Sequence, residues 1–352
     1  MNPDHTQRTP RPGRRTVLRT AVLGTAAGLA LPTAASAASP ARTTAAPPGA
    51  VSRPPSGTSG TSGTSGTSGT AGSVSWRWLG TSGWRMDLDG RTVLFDPYVT
   101  RFSTGLFDGA FDPATELETD EGLVDRHAGR PEVILVSHSH WDHLNDVPYL
   151  AKTTGARVVG TETTYHLLCS LGVDPAQLSV VRGGEVLDFG GYTVEAVASV
   201  HSRNKNHSYF SPGTLNAPPA TAPTTIAELP EGDTLAFQVT FGNGPSVFLM
   251  GGSDFIEREV TGLRPGIAMV AVPSSTATYR YVPRLMRALG GPGVVVPVHW
   301  DNFEVPLSGP PLRDPGADLE GLVAGVRAAS PTSRVVVPDY RTVYGPDMRP
   351  VK

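Results

Sequence analysis

Apolar positions beyond residue 73 recur with two periods, and the switches between them mark out elements. β-Rich runs at residues 76–79, 84–88 and 91–95 come first, with Asp89-Gly90 as a hairpin turn between the last two. Residues 133–136 are apolar at every position, as a strand buried on both faces requires. Helical spacing of Leu, Val and Tyr predicts helices over 144–152 and 162–171, with a strand at Val158-Val159 between them. Further strands are predicted at 178–181, 192–198, 234–241, 247–250, 268–272, 294–298 and 334–337, and further helices at 279–289 and 319–329. Strands that first cluster and then alternate with helices predict an α/β sandwich of two mixed sheets with helices outside. Residues 202–233 break the pattern: 32 residues with five prolines and little periodicity, the length of a functional cover or a disordered insert.

Composition narrows the class. A chain of 352 residues, 39% apolar and 17% charged, can bury a sizeable core in one or two domains. Its net charge of -3 offers no footprint for nucleic acid. The single cysteine, Cys169, excludes an intramolecular disulfide framework and any Cys-rich zinc module. Any bound metal must then be held by histidines and carboxylates.

The first 73 residues carry a different signal. Residues 1–37 hold five arginines and one aspartate, an apolar run over 20–31, Pro32, and the small-residue stretch Ala35-Ser36-Ala37. This is the pattern of a secretory signal peptide, and Arg14-Arg15-Thr16-Val17-Leu18 resembles the twin-arginine type. The apolar run is too short for a transmembrane anchor, which needs about 20 residues. A secreted or extracytoplasmic location is expected. Without residues 1–37 the chain keeps 24 basic and 31 acidic residues, a net charge of -7, which disfavours cationic attachment to a membrane surface. Residues 38–73 are almost entirely Ala, Pro, Ser, Thr and Gly with a tandem Gly-Thr-Ser repeat, a linker that cannot bury a core. As a flexible tether it would span roughly 30–35 Å. Residues 74–352 form the expected folded domain.

The chemistry concentrates in Ser137-His138-Ser139-His140-Trp141-Asp142-His143, where three of the nine histidines and a carboxylate follow the apolar strand. His138 and His140, two apart at a strand end, project to one side. Asp142 and His143 follow where the chain turns towards the helix starting near Leu144, so they can face a second point. Imidazole nitrogen with carboxylate oxygen is a ligand set for zinc, and iron or manganese accept the same donors. The plainer alternative is a solvated turn in which Asp142 caps the helix.

The motif His-x-His-x-Asp-His after a buried strand resembles the signature of the metallo-β-lactamase superfamily. Trp78-Leu79-Gly80, Leu94-Phe95-Asp96-Pro97 and Val298-His299-Trp300-Asp301-Asn302-Phe303 resemble the branch containing L-ascorbate-6-phosphate lactonase and the N-acylphosphatidylethanolamine phospholipase D enzymes. The resemblance covers about residues 74–345. It implies a four-layer αββα sandwich and a hydrolase with two metal ions, zinc foremost. It further implies that His138, His140 and His201 hold one ion and Asp142, His143 and His299 the other, with Asp142 and His143 carried as catalytic residues. Asp254 is the candidate bridging carboxylate, although Gly251-Gly252-Ser253-Asp254 stands where the superfamily has Gly-Asp; a turn-stabilising role is the alternative. Asp96 resembles the aspartate that braces the metal loop.

A dinuclear site lowers the pKa of its bound water towards ~7 and so makes metal-bound hydroxide available without a serine or cysteine nucleophile. The expected activity is hydrolysis of a phosphodiester or of a lactone or carboxylic ester, on a small-molecule or lipid-like substrate. Arg203, Lys205 and His207, close after His201, are expected to read an anionic group of that substrate. The alternative from another class is a non-catalytic, metal-stabilised binding module on the flexible tether.

Overall fold

The structure, a computed structural model, describes residues 74–340 and 342–351. The expected signal peptide (1–37) and linker (38–73) lie outside the described residues.

Strands β1 (Val74–Gly80), β2 (Gly83–Leu88) and β3 (Arg91–Phe95) run as an antiparallel meander. Asp89 and Gly90 both take positive φ, 49° and 80°, as a tight turn matched to the strand twist requires. After helix α1 (Glu121–Ala128) the chain enters β4 (Val133–Leu135), then α2 (Trp141–Leu144) and α3 (Val147–Thr154), β5 (Arg157–Gly160), α4 (Glu162–Ser170) and β6 (Leu178–Val180). The second half runs through β7 (Val186–Asp188), β8 (Tyr192–Val200), β9 (Thr234–Phe241), β10 (Ser246–Met250), β11 (Asp254–Phe255), α5 (Glu257–Val260) and β12 (Ile267–Ala271). It closes with α6 (Tyr281–Ala288), β13 (Val294–Val298), α7 (Leu319–Ala329), β14 (Arg334–Val335) and β15 (Val343–Tyr344).

These strands form two mixed sheets. One has the order β15-β1-β2-β3-β4-β5-β6; the other runs β11-β8-β9-β10-β12-β13-β14, with β7 paired to β8. Their inner faces meet in a single core, where Trp76 of β1 sits edge-on to Phe241 of β9 at 5.5 Å and Phe95 of β3 to Phe237 of β9 at 6.2 Å. The sandwich is the expected α/β architecture, and β4, β12 and β13, nearly all apolar, are buried as strands held between neighbours and helices should be.

Among the local differences from the sequence reading, two bear on the histidine motif. The helix expected over 144–152 is two pieces, because Asn145 and Asp146 interrupt it, and the first piece starts inside the histidine motif. Residues 202–233 are not structureless: the carbonyl of Glu231 accepts from the Ser139 N–H at 2.9 Å, and Thr224 accepts from Leu117 at 2.8 Å. The segment is therefore pinned across the end of the sandwich from which the histidines emerge.

Candidate metal centre

Each histidine of the site leaves the carboxyl end of a strand or the turn after it, the edge where open α/β sheets present ligands. His138 and His140 follow β4, and α2 carries Asp142 and His143 one turn on, with the N–H of His143 bonded to the carbonyl of His140 at 3.0 Å. Asp142 does not cap this helix; its carboxylate is turned to two imidazoles. His201 follows β8 and His299 follows β13.

These six side chains assemble into two groups, His138 with His140 and His201, and Asp142 with His143 and His299; within each the ligand atoms lie within 4.8 Å of one another. Asp142 Oδ2 stands 3.4 Å from His143 Nε2 and 3.1 Å from His299 Nε2. An ion bound tetrahedrally at ~2.0–2.2 Å separates its ligand atoms by roughly 3.3–3.6 Å, so the two pairs made by Asp142 stand close to the spacing of a coordination sphere. The other group is marked by an orphan: His138 Nε2 is buried with no hydrogen-bond partner. A buried polar atom without a partner is costly, and an ion shared with His140 and His201 would satisfy it.

The opposite ring nitrogens are held by the protein, which fixes the tautomers. Asp96 accepts from the Ser137 N–H at 2.7 Å, the Ser137 hydroxyl at 2.6 Å and His143 Nδ1 at 2.8 Å. Ser137 Oγ in turn lies 3.0 Å from His138 Nδ1. His201 Nδ1 donates to the carbonyl of Ser202 at 2.7 Å and His140 Nε2 to that of Ser211 at 3.3 Å. Such partners orient metal-ligating imidazoles and direct their free lone pairs inward. Asp96 is thus the brace the sequence pointed to.

Electrostatics separates the two groups. Burial, reinforced by the neighbouring imidazoles, holds His138 well below its usual range. Burial likewise lowers His140 to about 3, with His201 adding to the effect, and His201 to about 4. These three rings stay neutral, as ligands must. Burial opposes charge on His143 too, but Asp142 and Asp96 on either side outweigh it and raise this imidazole to about 10. Burial pushes the carboxyl of Asp142 upward, yet His143 and His299 hold it well below the usual carboxylate range. A proton on His143 therefore does in the metal-free protein what a cation would do.

Asp254 does not join either group, so the structure gives no support to its bridging role. It lies in β11, paired with Val200, and its Oδ1 accepts from the N–H of Phe255 at 2.8 Å. The intervening Ser253 is what displaces it: that residue is buried, its N–H bonded to Ser202 Oγ at 2.7 Å and its hydroxyl to the carbonyl of Pro273. Gly251 comes nearest the metal loop, and a Cβ there would fall 1.9 Å from Ser137 Oγ, so no side chain fits.

The expected anion readers take two different positions. Asn204 Oδ1 accepts from the N–H groups of Asn206 and Ser208, and His207 takes φ 57°, which turns 203–208 into an outward knuckle. Lys205 and His207 are exposed and line no described cavity, while Arg203 lines an adjoining one of about 400 Å³ with Glu162, Arg182, Glu231 and Asp233, which shares His201 and Tyr209 with the metal cavity. The metal groups instead open into a cavity of about 370 Å³ walled by Phe107, Phe111, Trp141, Phe210 and Phe303.

Sequence reasoning missed the support under His299. This residue takes φ 57°, and its N–H bonds the carbonyl of Thr81 at 2.8 Å. The Thr81 N–H bonds Asp301 at 3.0 Å, and Asp301 is paired in the core with Arg101 at 3.0 Å and the Tyr340 hydroxyl at 2.6 Å. Asp301, two residues past a candidate ligand, was the only visible signal.

Residues 75–299 match the family described as the beta-lactamase superfamily domain. A UPF0173 metal-dependent hydrolase of Polynucleobacter asymbioticus is 25% identical over 238 residues, covering 64% of this chain and 73% of that protein. Another, from Cupriavidus necator, is 27% identical over 266 residues, 73% of this chain and 84% of its own length. Among solved structures, a metallo hydrolase from Ignicoccus hospitalis shares the fold with a TM-score of 0.52 and 18% identity, over 78% of this chain and 98% of that one.

Proposed function

The chain belongs to the metallo-β-lactamase superfamily, and on that premise we propose that it is a dinuclear metal-dependent hydrolase, with zinc as the ion in both positions. The observation that carries this reading is the pair of three-residue groups, one with two ligand pairs close to coordination spacing and the other with a buried orphan nitrogen, at the floor of an open cavity. Three nitrogen donors on one side and two nitrogens with a carboxylate oxygen on the other suit zinc, with iron or manganese next. Bound there, the ions would supply Lewis acidity and activate water at neutral pH.

The protein's own part is positioning. Asp96 and Ser137 hold His143 and His138 in the ligating tautomers, the carbonyls of Ser202 and Ser211 do so for His201 and His140, and the aromatic rings of the cavity wall flank the two groups. The substrate belongs to the lactones and carboxylic esters or to the phosphodiesters. Resemblance of the segments around Trp78 and His299 to the lactonase and phospholipase branch supports that range. Export under the twin-arginine pattern of residues 14–18 is part of the same proposal; among the described residues no helix is long and apolar enough to cross a membrane.

The test is elemental analysis of the purified protein together with turnover of a p-nitrophenyl ester and of bis(p-nitrophenyl) phosphate, before and after chelation. Two ions per chain and chelator-sensitive turnover are expected. Full metal content with turnover of neither compound would favour the metal-stabilised binding module, and absence of metal would refute both.

A further inference from the structure

One wall of the metal cavity is aromatic. Phe111, Trp141 and Phe210 form a closed cluster, with Phe210 edge-on to Phe111 at 5.2 Å and to Trp141 at 5.3 Å. Phe303 continues it, 4.9 Å from Phe107 and 6.3 Å from Trp141. The cluster touches both metal groups, through Phe210 beside His140 at 5.8 Å and Phe303 beside His299 at 5.2 Å. It is also held in place. Glu304 accepts from the N–H groups of Thr104 and Leu106, which fixes the turn bearing Phe107, and Tyr209 donates to Glu231 at 2.8 Å beside Phe210.

Side-chain charge in this cavity is sparse; Arg203 and Arg182 line the adjoining one. Among the described residues lining the metal cavity there is no lysine or arginine, and beyond the ligand Asp142 its one carboxylate is Asp314. Aromatic walls favour apolar surface, and away from the ions no lysine or arginine of the cavity lining is there to pair an anionic substituent.

We infer, on the hydrolase reading above, that the substrate is an uncharged carboxylic ester or lactone whose acyl portion carries an aromatic or alkyl group seated among Phe111, Trp141 and Phe210. Hydrolysis there bonds the water oxygen to the carbonyl carbon, breaks that carbon's bond to the leaving oxygen, and returns the water proton to the leaving oxygen. A cavity of about 370 Å³ is near the small end of ligand pockets, which fits one ring or a short chain rather than a diacyl lipid.

Two measurements on the metal-loaded full chain test this. With p-nitrophenyl acetate, butyrate, hexanoate and phenylacetate, kcat/KM should rise about fourfold per buried methylene until the cup is full. The anionic hemisuccinate and bis(p-nitrophenyl) phosphate should fall at least tenfold below the butyrate. Separately, equilibrium binding of benzylacetone, which cannot be hydrolysed, should be at least tenfold tighter than that of benzylsulfonate. Phe210→Ala should flatten the ester series and weaken benzylacetone about tenfold. Equal or tighter binding of the sulfonate, or a flat or falling ester series in the unmutated protein, overturns the inference. Preferential binding of benzylacetone with no turnover of any ester would instead sink the hydrolase reading and leave the apolar site standing.

Discussion

Replacing Asp96 by asparagine keeps the shape of a fully buried side chain but removes its capacity to accept at both ends. The amide oxygen can still take the Ser137 N–H, now 2.7 Å from Oδ1. The amide nitrogen must then occupy the place of Oδ2, facing the Ser137 hydroxyl at 2.6 Å and His143 Nδ1 at 2.8 Å. The hydroxyl can rotate and accept. The imidazole cannot accept while its proton sits on Nδ1, and moving that proton to Nε2 blocks the nitrogen that faces Asp142. Either a buried donor goes unpaired or a ligand lone pair is lost. The first costs about 1–3 kcal/mol, roughly 5- to 150-fold in metal affinity. Removal of outer partners of metal ligands typically costs ~10- to 100-fold, in the same range. Competition with a chromophoric zinc chelator should therefore show one of the two ions bound at least about tenfold more weakly in Asp96→Asn, with the other less affected. Thermal denaturation of the chelated variant checks that it remains folded. A folded variant that binds both ions as tightly as the unmutated chain would refute the tautomer argument.

Asp254→Ala should leave two ions per chain and change turnover by less than about threefold, because this carboxylate is committed to its neighbour's N–H; loss of an ion by elemental analysis would restore the bridging role. Asp301→Ala leaves Arg101 charged and unpaired in the core, so denaturant unfolding should show a loss of about 3–5 kcal/mol, and a loss under 1 kcal/mol would mean the pair is not structural. In the chelated protein, folded pKa values of about 3 and 4 for His140 and His201 lie below the unfolded ~6.5, so stability falls as pH drops below ~6.5; that of His143, raised to about 10, contributes stability that is lost as pH rises through about 10. Melting temperature in chelator should accordingly peak near pH 6.5 to 7, and a monotonic rise from pH 5 to 9 would contradict these shifts.

The strands were legible because they rest on local signals. Apolar runs with flanking turns located β3, β9 and β13 to the residue, and α7 likewise, since its N-cap Asp318 and its 3.6-residue spacing are both written in the sequence. Helix α1 was overlooked although Asp120 caps its start and Gly129 ends it at φ 67°, because its eight residues carry only two buried side chains and hence almost no apolar period. The ligands at strand ends were legible for the same reason as the strands: alternation fixes where a terminal residue points. For Asp254 and the 203–207 cluster the sequence left the direction open, because alternation no longer applies once the chain leaves a strand. At Asp254 the β8–β11 register decides it, and at 203–207 the Asn204 knuckle.

The two metal groups draw their geometry from different parts of the fold. His140 and His201 are oriented by carbonyls of Ser211 and Ser202, both in the segment 202–233 that crosses the end of the sandwich. His143 and His299 are oriented from the core, by Asp96 at φ 41° and by Thr81 through Asp301 and Arg101. Asp96 and His299 both hold left-handed backbone that costs a non-glycine residue of order 1–3 kcal/mol, which persists only where surrounding bonds over-determine it. The Asp96 N–H to Leu135 at 2.9 Å and the His299 N–H to Thr81 at 2.8 Å are those bonds. Damage to the core pair should thus loosen the Asp142 group first, while disturbance of the crossing segment should loosen the His138 group first. Asp96 touches both groups, His143 directly and His138 through Ser137, so its replacement should loosen the ion of the Asp142 group most and that of the His138 group less.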